Sequence, residues 1–320
     1  MKILVTGGAG FIGSHLVNLL LNHTNYEVVI VDNFNDYYNV DQKEYNVLPF
    51  LSNDRCKIYR EDICDYEKMK EVFEKEKPNK IVHLAALAGV RESIDRPLDY
   101  EKVNLGGTTN LLELSRLYDV KNFVYASSSS VYGNQKSIPF SEDDVVDEPI
   151  SMYAATKKAG ENIAYTYHHL HKLPITCLRF FTVYGPSGRP DMAPYKFTKM
   201  IHEGIPLTKY GDGTSQRDYT YVEDIVAGVF AALEKNLDFE VINIGNSELT
   251  SLNDFIALIE RLVGKKAIIK QLGMQPGDVD ITYSDISKAE KLLGYKPKTS
   301  FEEGMEKFVK WYMESPFVNK

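Results

Sequence analysis

The sequence predicts an α/β protein built on a doubly wound parallel sheet, with a smaller C-terminal α/β lobe. Three observations support this fold class. Short apolar runs alternate with longer segments of helical period, the first run leads directly into a glycine-rich turn, and the alternation loosens after residue 184 and again after residue 246. Regular alternation of this kind is typical of parallel sheets that are covered by helices on both faces.

The runs predicted as strands are short and rich in apolar and β-branched residues. They are Lys2–Thr6, Glu27–Asp32, Lys57–Arg60, Lys80–Leu84, Asn122–Ser127, Ile175–Tyr184 and Glu240–Ile244. Helical periodicity predicts a helix over 151–172 before the sixth run and a last helix over about 301–314.

The predicted elements divide the chain into two lobes. We expect residues 1–185 and 222–246 to form the larger domain, and residues 186–221 and 247–320 to form the smaller lobe. No internal repeat or low-complexity linker separates these pieces, so the two lobes should pack closely around one cleft.

Composition excludes several classes of partner. The chain has 320 residues, of which 43% are hydrophobic and 26% charged, and its formal net charge is −8. The acidic balance argues against a broad surface for nucleic acid. No stretch reaches the ~18 apolar residues of a membrane span, and the glycine turn begins at Gly7, before the apolar region of a signal peptide develops. We therefore expect a cytoplasmic protein that binds no membrane.

Cysteines and histidines do not form a metal-binding pattern. Cys56, Cys64 and Cys177 include no C-x-x-C pair, which suits a reducing compartment and argues against a disulfide framework or a thiolate zinc site. Three adjacent histidines at His168, His169 and His171 cannot share one helical face and lack neighbouring acids. We therefore predict no metal site.

The turn after the first run has the spacing of a dinucleotide-binding loop. Gly7, Gly10 and Gly13 form G-x-x-G-x-x-G between a predicted strand and a predicted helix. Such glycines permit a tight turn, close approach of the backbone to a pyrophosphate, and packing of the helix on the strand. Asp32 ends the second predicted strand, where an acid accepts ribose hydroxyls and repels the extra phosphate of NADP. These features predict that the cofactor is NAD.

A Tyr-x-x-x-Lys spacing and a run of serines predict catalytic groups. Tyr153 and Lys157 are four residues apart in a helical segment, so they share one face. A free tyrosine, with a pKa of about 10, is a poor base, and a nearby Lys157 cation would lower that pKa. The fifth predicted strand ends in serines 127–130, which places hydroxyls at the carboxyl end of the sheet, where ligands of open α/β folds bind.

Taken together, these motifs resemble the extended short-chain dehydrogenases/reductases over almost the whole chain. The segments that carry the resemblance are Thr6–Gly13, His83–Ala86, the serine run before Val131-Tyr132-Gly133, Tyr153 with Lys157, Arg179-Phe180-Phe181 and Arg217-Asp218. The loop Thr182–Ala193, the segment Lys196–Lys199 and the segment Met274–Val279 further resemble the UDP-glucuronate 4-epimerases. The resemblance implies that residues 1–185 and 222–246 are an NAD-binding Rossmann domain and that the smaller lobe binds a nucleotide sugar.

The resemblance also implies the residues that contact NAD. They are Gly7, Gly10, Phe11, Ile12, Gly13, Asp32, Asn33, Asp62, Ile63, Leu84, Ala85, Ala86, Asn104, Tyr153, Lys157 and Phe181. Asp62 and Ile63 are expected beside the adenine, and Asn104 on a helix behind the site.

Substrate contacts follow from the resemblance and from side-chain chemistry. Ser128 matches the residue that hydrogen-bonds the sugar O4, with Ser129 as the second choice. Arg189 has a planar fork suited to a carboxylate, and the hydroxyl of Thr182 can share that role. The candidates for the diphosphate and the uridine ribose are Arg91, Arg217 and Asp278; Gln275 stands where epimerases of neutral hexoses have an arginine.

The serine run also bears on the reaction. Related 4,6-dehydratases carry an Asp-Glu pair where this chain has Ser129 and Ser130, and related decarboxylases carry a glutamate at the second place. Without these carboxylates, simple 4-epimerisation of UDP-glucuronate remains the leading interpretation. An epimerase of UDP-glucose or UDP-N-acetylglucosamine, a decarboxylase and a catalytically silent regulator stay open as alternatives. The resemblance further implies a homodimer formed through helical segments 97–118 and 151–172.

Overall fold

The computed structural model describes residues 1–273 and 281–316. The strands, in chain order, are β1 (Lys2–Thr6), β2 (Glu27–Val31), β3 (Cys56–Tyr59), β4 (Lys80–His83), β5 (Asn122–Ser128), β6 (Ile175–Phe180), β7 (Thr182–Tyr184), β8 (Leu207–Tyr210), β9 (Gln216–Arg217), β10 (Tyr219–Tyr221), β11 (Phe239–Ile244), β12 (Thr250–Ser251), β13 (Ile269–Leu272) and β14 (Ile281–Thr282).

The helices alternate with the strands of the first half of the chain and dominate its last third. They are α1 (Phe11–His23), α2 (Val40–Val47), α3 (Tyr66–Glu76), α4 (Val90–Asp95), α5 (Pro97–Tyr100), α6 (Thr108–Leu117), α7 (Met152–His171), α8 (Ala193–Glu203), α9 (Val222–Lys235), α10 (Leu252–Val263), α11 (Ser287–Leu293) and α12 (Phe301–Glu314). Among the described residues, no helix combines the length and the apolar character that a bilayer span requires.

The central sheet has seven strands in the order β11-β6-β5-β4-β1-β2-β3. Every neighbouring pair is parallel, which confirms the predicted doubly wound sheet. The strand order reverses between β1 and β4, so a crevice opens at the carboxyl ends of these strands. The residues that follow β1, β2, β4 and β5 are therefore brought to one edge.

Alternate side chains of the strands supply two separate cores. In β1, Ile3 and Val5 pack in one cluster with Leu16 of α1 and Val229 of α9. Leu4, between them, packs in the other cluster with Phe73 of α3 and residues of α6. A parallel strand that is buried on both faces needs an uninterrupted apolar run, and β1 has one.

One predicted strand is wrong. The run Ile175–Tyr184 is not continuous, because Phe181 separates β6 from β7. The Phe181 N–H donates to the Ile244 carbonyl (3.1 Å), and β7 then leaves the central sheet to pair with β10. Periodicity could not show this break, because β-branched and aromatic residues continue on both sides of Phe181.

The helix predicted over 151–172 is confirmed as α7. Its first turn is capped by the Ser151 side chain, which accepts a hydrogen bond from the Ala154 N–H. Segment 97–118 is also helical, but the wider π-helical turn Glu101–Gly107 joins α5 to α6. This turn contains Asn104, one of the predicted cofactor residues.

The later segments of the chain form small sheets beside the central one, in the orders β12-β9-β14 and β13-β8. The buried carboxylate of Asp218 ties three of these segments together, since it accepts hydrogen bonds from the N–H groups of Asn246, Ser247 and Ser284. The pairing of β7 with β10 connects the parts on either side of residue 185.

Candidate active site

A cavity of about 400 Å³ opens at the carboxyl ends of the central strands. Most of the predicted site residues line it. They are Gly7, Gly10, Phe11, Ile12, Gly13, Asp32, Asn33, Asp62, Ile63, Leu84, Ala85, Ala86, Ser128, Ser129, Tyr153, Lys157, Phe181, Thr182 and Arg189. The cavity therefore joins the predicted cofactor residues to the predicted catalytic and sugar-binding residues.

The glycine loop is packed too closely for side chains. A Cβ on Gly13 would lie 2.1 Å from the Gly7 carbonyl oxygen, and Gly7 itself has a φ of 71°. The tight turn brings the first turn of α1, including Phe11 and Ile12, to the cavity wall. Because N–H groups in a first helical turn have no intrahelical acceptor, this cradle fits the pyrophosphate of a dinucleotide.

Two carboxylates stand beyond the glycine loop. Asp32 accepts hydrogen bonds from the N–H groups of Ala9 (3.1 Å) and Phe34 (2.9 Å), and its burial raises the pKa of the carboxyl group. Asp62 accepts a hydrogen bond from the Asn33 amide (3.0 Å). Both carboxylates keep acceptor capacity for ribose and adenine donors, and Asp32 disfavours an additional phosphate. The residues present therefore fit NAD.

The loop after β4 is positioned by a buried network around His83. Thr108 donates to the Asn104 carbonyl (2.6 Å), so the contact with His83 Nε2 (2.9 Å) requires a protonated Nε2. Thr6 then donates to Nδ1 (2.7 Å) and accepts from the Ala85 N–H (3.2 Å). Burial lowers the pKa of His83 to about 3, so the ring stays neutral and its hydrogen bonds do not change near neutral pH.

Asn104 does not line the cavity. Its amide donates to the Leu87 carbonyl (2.9 Å) and to Thr156 (3.1 Å), and it accepts from the Leu87 N–H (2.9 Å). The side chain thus fixes the loop after β4 against α7. The π-helical turn determines this placement, and the sequence pattern did not reveal that turn.

Tyr153 and Lys157 lie one turn apart on α7, and both side chains line the cavity. Lys157 Nζ donates to the Ala126 carbonyl (2.7 Å), and burial lowers the pKa of Lys157 to about 7. Burial also raises the pKa of Tyr153, while a hydrogen bond with Ser128 and the charge of Arg189 lower it. Burial outweighs both effects, so the pKa of Tyr153 is raised in this structure, and the role of Lys157 in lowering it stays a prediction.

The serine run forms a turn at the end of β5. The Ser128 hydroxyl accepts a hydrogen bond from the Ser130 N–H (3.1 Å) and lies within hydrogen-bonding distance of the Ser130 hydroxyl (3.1 Å). Ser128, Ser129 and Ser130 all line the cavity. The carboxylates among the described lining residues, Asp32, Glu61 and Asp62, all follow β2 or β3, so none stands beside Tyr153.

Arg189 reaches the cavity from the loop after β7. Its Nε and Nη2 donate to the two carboxylate oxygens of Asp191 (3.0 and 2.5 Å), and Nη2 also donates to the Ala88 carbonyl (3.0 Å). Thr182, at the start of β7, lines the same cavity. A guanidinium and a hydroxyl thus lie on the wall that also carries Tyr153, where they can bind an anionic substituent.

Two predicted substrate residues do not line the described wall, and a third lies outside the described residues. Arg91, in α4, follows the lining residue Val90 and is exposed. Arg217 lies in β9, where one Nη donates to the Gln216 carbonyl (2.9 Å). Asp278, like the segment Met274–Val279, lies outside the described residues.

Sequence reasoning missed several residues of the wall. Tyr37, Tyr38, Lys43, Gly89 and Met192 all line the cavity. Tyr37 donates to the Ala88 carbonyl, and Lys43 donates to the Asn35 carbonyl (2.7 Å). The sequence signal that could have identified them was the pair Tyr37-Tyr38 together with Lys43, which follow Asp32 by a few residues.

The chain is similar to known proteins over almost its whole length. The family model described as GDP-mannose 4,6 dehydratase matches residues 4–308. A UDP-glucuronate 4-epimerase of Thermodesulfobacterium geofontis is 46% identical over 98% of this chain and 96% of its own.

Two solved structures are also similar. The Bacillus cereus UDP-glucuronic acid 4-epimerase, in complex with UDP-glucuronic acid and NAD, has a TM-score of 0.92 and 42% identity over 98% of this chain and 99% of its own. The Thermotoga maritima UDP-glucose 4-epimerase, with UDP-glucose, has a TM-score of 0.90 and 35% identity over 98% of this chain and 99% of its own.

Proposed function

The chain belongs to the GDP-mannose 4,6-dehydratase family of extended short-chain dehydrogenases/reductases, and on that premise we propose that it is an NAD-dependent UDP-glucuronate 4-epimerase. It interconverts UDP-glucuronate and UDP-galacturonate without loss of carbon dioxide. One observation carries this proposal: a single cavity joins the dinucleotide cradle to Tyr153, Ser128 and Arg189. The names of the similar epimerases support the same reaction and cofactor.

Proton transfer at O4 is the task of Tyr153. As a phenolate it accepts the O4 proton, and Ser128, which hydrogen-bonds the phenol, supports the charged form. NAD held by the glycine loop and Asp32 would supply the acceptor for the C4 hydride and the donor that restores it. Tyr153 then returns its proton to O4, so the overall reaction consumes neither cofactor nor proton.

Inversion at C4 requires the 4-keto ring to turn over between the two hydride transfers. The nucleotide must stay anchored while the sugar moves, so firm binding belongs at the diphosphate and loose binding at the ring. Arg91 and Arg217 remain our candidates for the diphosphate, and Asp278 for the uridine ribose. Their assignment rests on the sequence resemblance.

A 4-keto uronic acid loses carbon dioxide readily when its carboxylate bond stands perpendicular to the ketone plane. We assign Arg189 and Thr182 to hold the carboxylate away from this alignment. Ser129 and Ser130 occupy the places where dehydratases and decarboxylases carry acids. No described lining residue beside Tyr153 can therefore supply the carboxylate that elimination requires.

Substitution of Tyr153 tests the proposal directly. Tyr153→Phe removes the proton acceptor, so turnover of UDP-glucuronate should fall by at least about 10²-fold, while bound NAD is retained. Tyr165→Phe, on the same helix but away from the cavity, is the matched control. NMR of the anomeric protons with UDP-glucuronate, UDP-glucose and UDP-N-acetylglucosamine compares the substrates. Retained activity in Tyr153→Phe, or faster turnover of UDP-glucose, would contradict the proposal.

We further propose a cytoplasmic homodimer. Exposed apolar side chains lie on the helical segments predicted for the interface, among them Leu98, whose exposure is 78%, and Leu170. Cys56, Cys64 and Cys177 are unpaired, which suits a reducing compartment. Light scattering after gel filtration should show a dimer, and Leu98→Glu should convert it to a monomer; a monomeric wild-type protein would contradict this assignment.

A further inference from the structure

The guanidinium of Arg189 is fixed before any substrate arrives. Asp191 takes the edge formed by Nε and Nη2, and the Ala88 carbonyl takes the second N–H of Nη2. The ring of Tyr37 lies 5.4 Å from the guanidinium carbon. Nη1 has no hydrogen bond to another described residue. A substrate group that approaches from the cavity can therefore pair with the Nη1 edge only.

Asp191 also reduces the net charge that the cavity presents. The Arg189 side chain is 16% exposed and the Asp191 side chain 47% exposed. The carboxylate is therefore the more solvent-exposed partner of the pair. An incoming carboxylate thus meets a neutral ion pair with a directed N–H donor, in place of a free cation. A free guanidinium would bind the same carboxylate with two parallel hydrogen bonds.

Ring turnover makes the strength of this contact important. The C5 carboxylate moves with the sugar ring when the 4-keto intermediate presents its other face. A bidentate contact with a free arginine would stabilise one ring orientation and oppose that movement. Binding energy that stabilises a bound ground state lowers KM without increasing the rate of the following step.

We propose that Asp191 is a positioning residue, which occupies the Nε–Nη2 edge of Arg189 so that the substrate carboxylate binds through Nη1 alone and stays releasable. The inference rests on the proposed function, because only a uronate sugar carries a carboxylate at this place. It predicts that Asp191 weakens ground-state binding of UDP-glucuronate and speeds its turnover. Sugars without the carboxylate should be insensitive to Asp191.

Calorimetry in the Tyr153→Phe background measures binding without turnover. Adding Asp191→Asn should tighten UDP-glucuronate binding about five-fold and leave UDP-glucose binding unchanged. Asp191→Glu, which keeps the charge, should restore the original affinity. Asp99→Asn, which removes an exposed carboxylate bound to Arg96, is the matched control. Weaker binding of UDP-glucuronate, or equal changes for both sugars, would overturn the proposal.

Kinetics of the single variant Asp191→Asn provide the second measurement. We expect kcat and KM for UDP-glucuronate to fall by similar factors, so that kcat/KM changes little, and the steady-state fraction of reduced nicotinamide to rise as ring turnover slows. An unchanged kcat would overturn the proposal. If the wild-type enzyme forms no UDP-galacturonate, the proposed function fails, and the calorimetric comparison still decides whether Asp191 restrains Arg189.

Discussion

Two arginine–carboxylate pairs in this molecule have the same chemistry and different surroundings. Arg179 binds Glu161 through Nε and Nη2, at 2.9 Å each, and the two side chains are only 3% and 2% exposed. Arg189 binds Asp191 through the same two nitrogens, but this pair lies at the cavity and Asp191 is half exposed.

The difference lies in what surrounds each pair. Glu161 also accepts a hydrogen bond from Ser127 (2.6 Å), and Arg179 donates to the Tyr132 hydroxyl (3.0 Å), so these partners complete the buried network. In the pair at the cavity, one nitrogen of Arg189 remains available to a ligand. Loss of one partner from a sealed ion pair destabilises the fold, whereas an ion pair with an open edge can bind substrate.

Loss of one buried partner should have the largest effect on stability. Glu161→Gln leaves the Arg179 charge buried without its anion, so the free energy of unfolding should fall by about 3–5 kcal/mol. Asp191→Asn, in the partly exposed pair at the cavity, should cost less than about 1 kcal/mol. Denaturant unfolding of the two variants checks the difference, and equal losses would contradict our separation of a structural pair from a substrate pair.

Loss of the cavity arginine should affect activity more than stability. Arg189→Gln should lower kcat/KM for UDP-glucuronate about 10- to 100-fold, because a charge-assisted contact with the carboxylate is lost. It should also raise the share of turnovers that release carbon dioxide. Arg96→Gln, at an exposed ion pair, is the control. Normal turnover without carbon dioxide release would remove Arg189 from the proposed carboxylate site.

A smaller effect should follow from loss of the Ser128 hydroxyl. Its hydrogen bond lowers the pKa of Tyr153, so Ser128→Ala should raise that pKa and move the acidic limb of the kcat profile to higher pH. At pH 7 less phenolate is then present, and kcat should fall about five-fold. If Ser129→Ala shifts the profile and Ser128→Ala does not, the O4 contact belongs to Ser129.

Nearly all the predicted cofactor residues line the cavity, whereas two of the predicted substrate residues do not. The glycine spacing and Asp32 depend on local backbone geometry, which a linear pattern records directly. The network around His83 and the π-helical turn at Asn104 depend on contacts between distant segments. The sequence could therefore place Asn104 near the site, but not show that its amide is used by Leu87 and Thr156.

The two arginine pairs show the same limit. Arg179 lies in a run predicted as a strand and Arg189 in the loop that follows it, but neither position shows which carboxylate the arginine binds. Their partners differ, because Glu161 comes from α7 while Asp191 is two residues away in the same loop. The break at Phe181 was hidden for a related reason, since only the pairing of β7 with β10 reveals it.

The most direct test follows the fate of the substrate carboxylate. UDP-glucuronate labelled with 13C at its carboxyl carbon is incubated with the holoenzyme, and the products are followed by 13C NMR. We predict that the label appears in UDP-galacturonate up to equilibrium and that none appears as carbon dioxide or bicarbonate. Label released as carbon dioxide, or no conversion under conditions in which UDP-glucose is epimerised, would contradict the account.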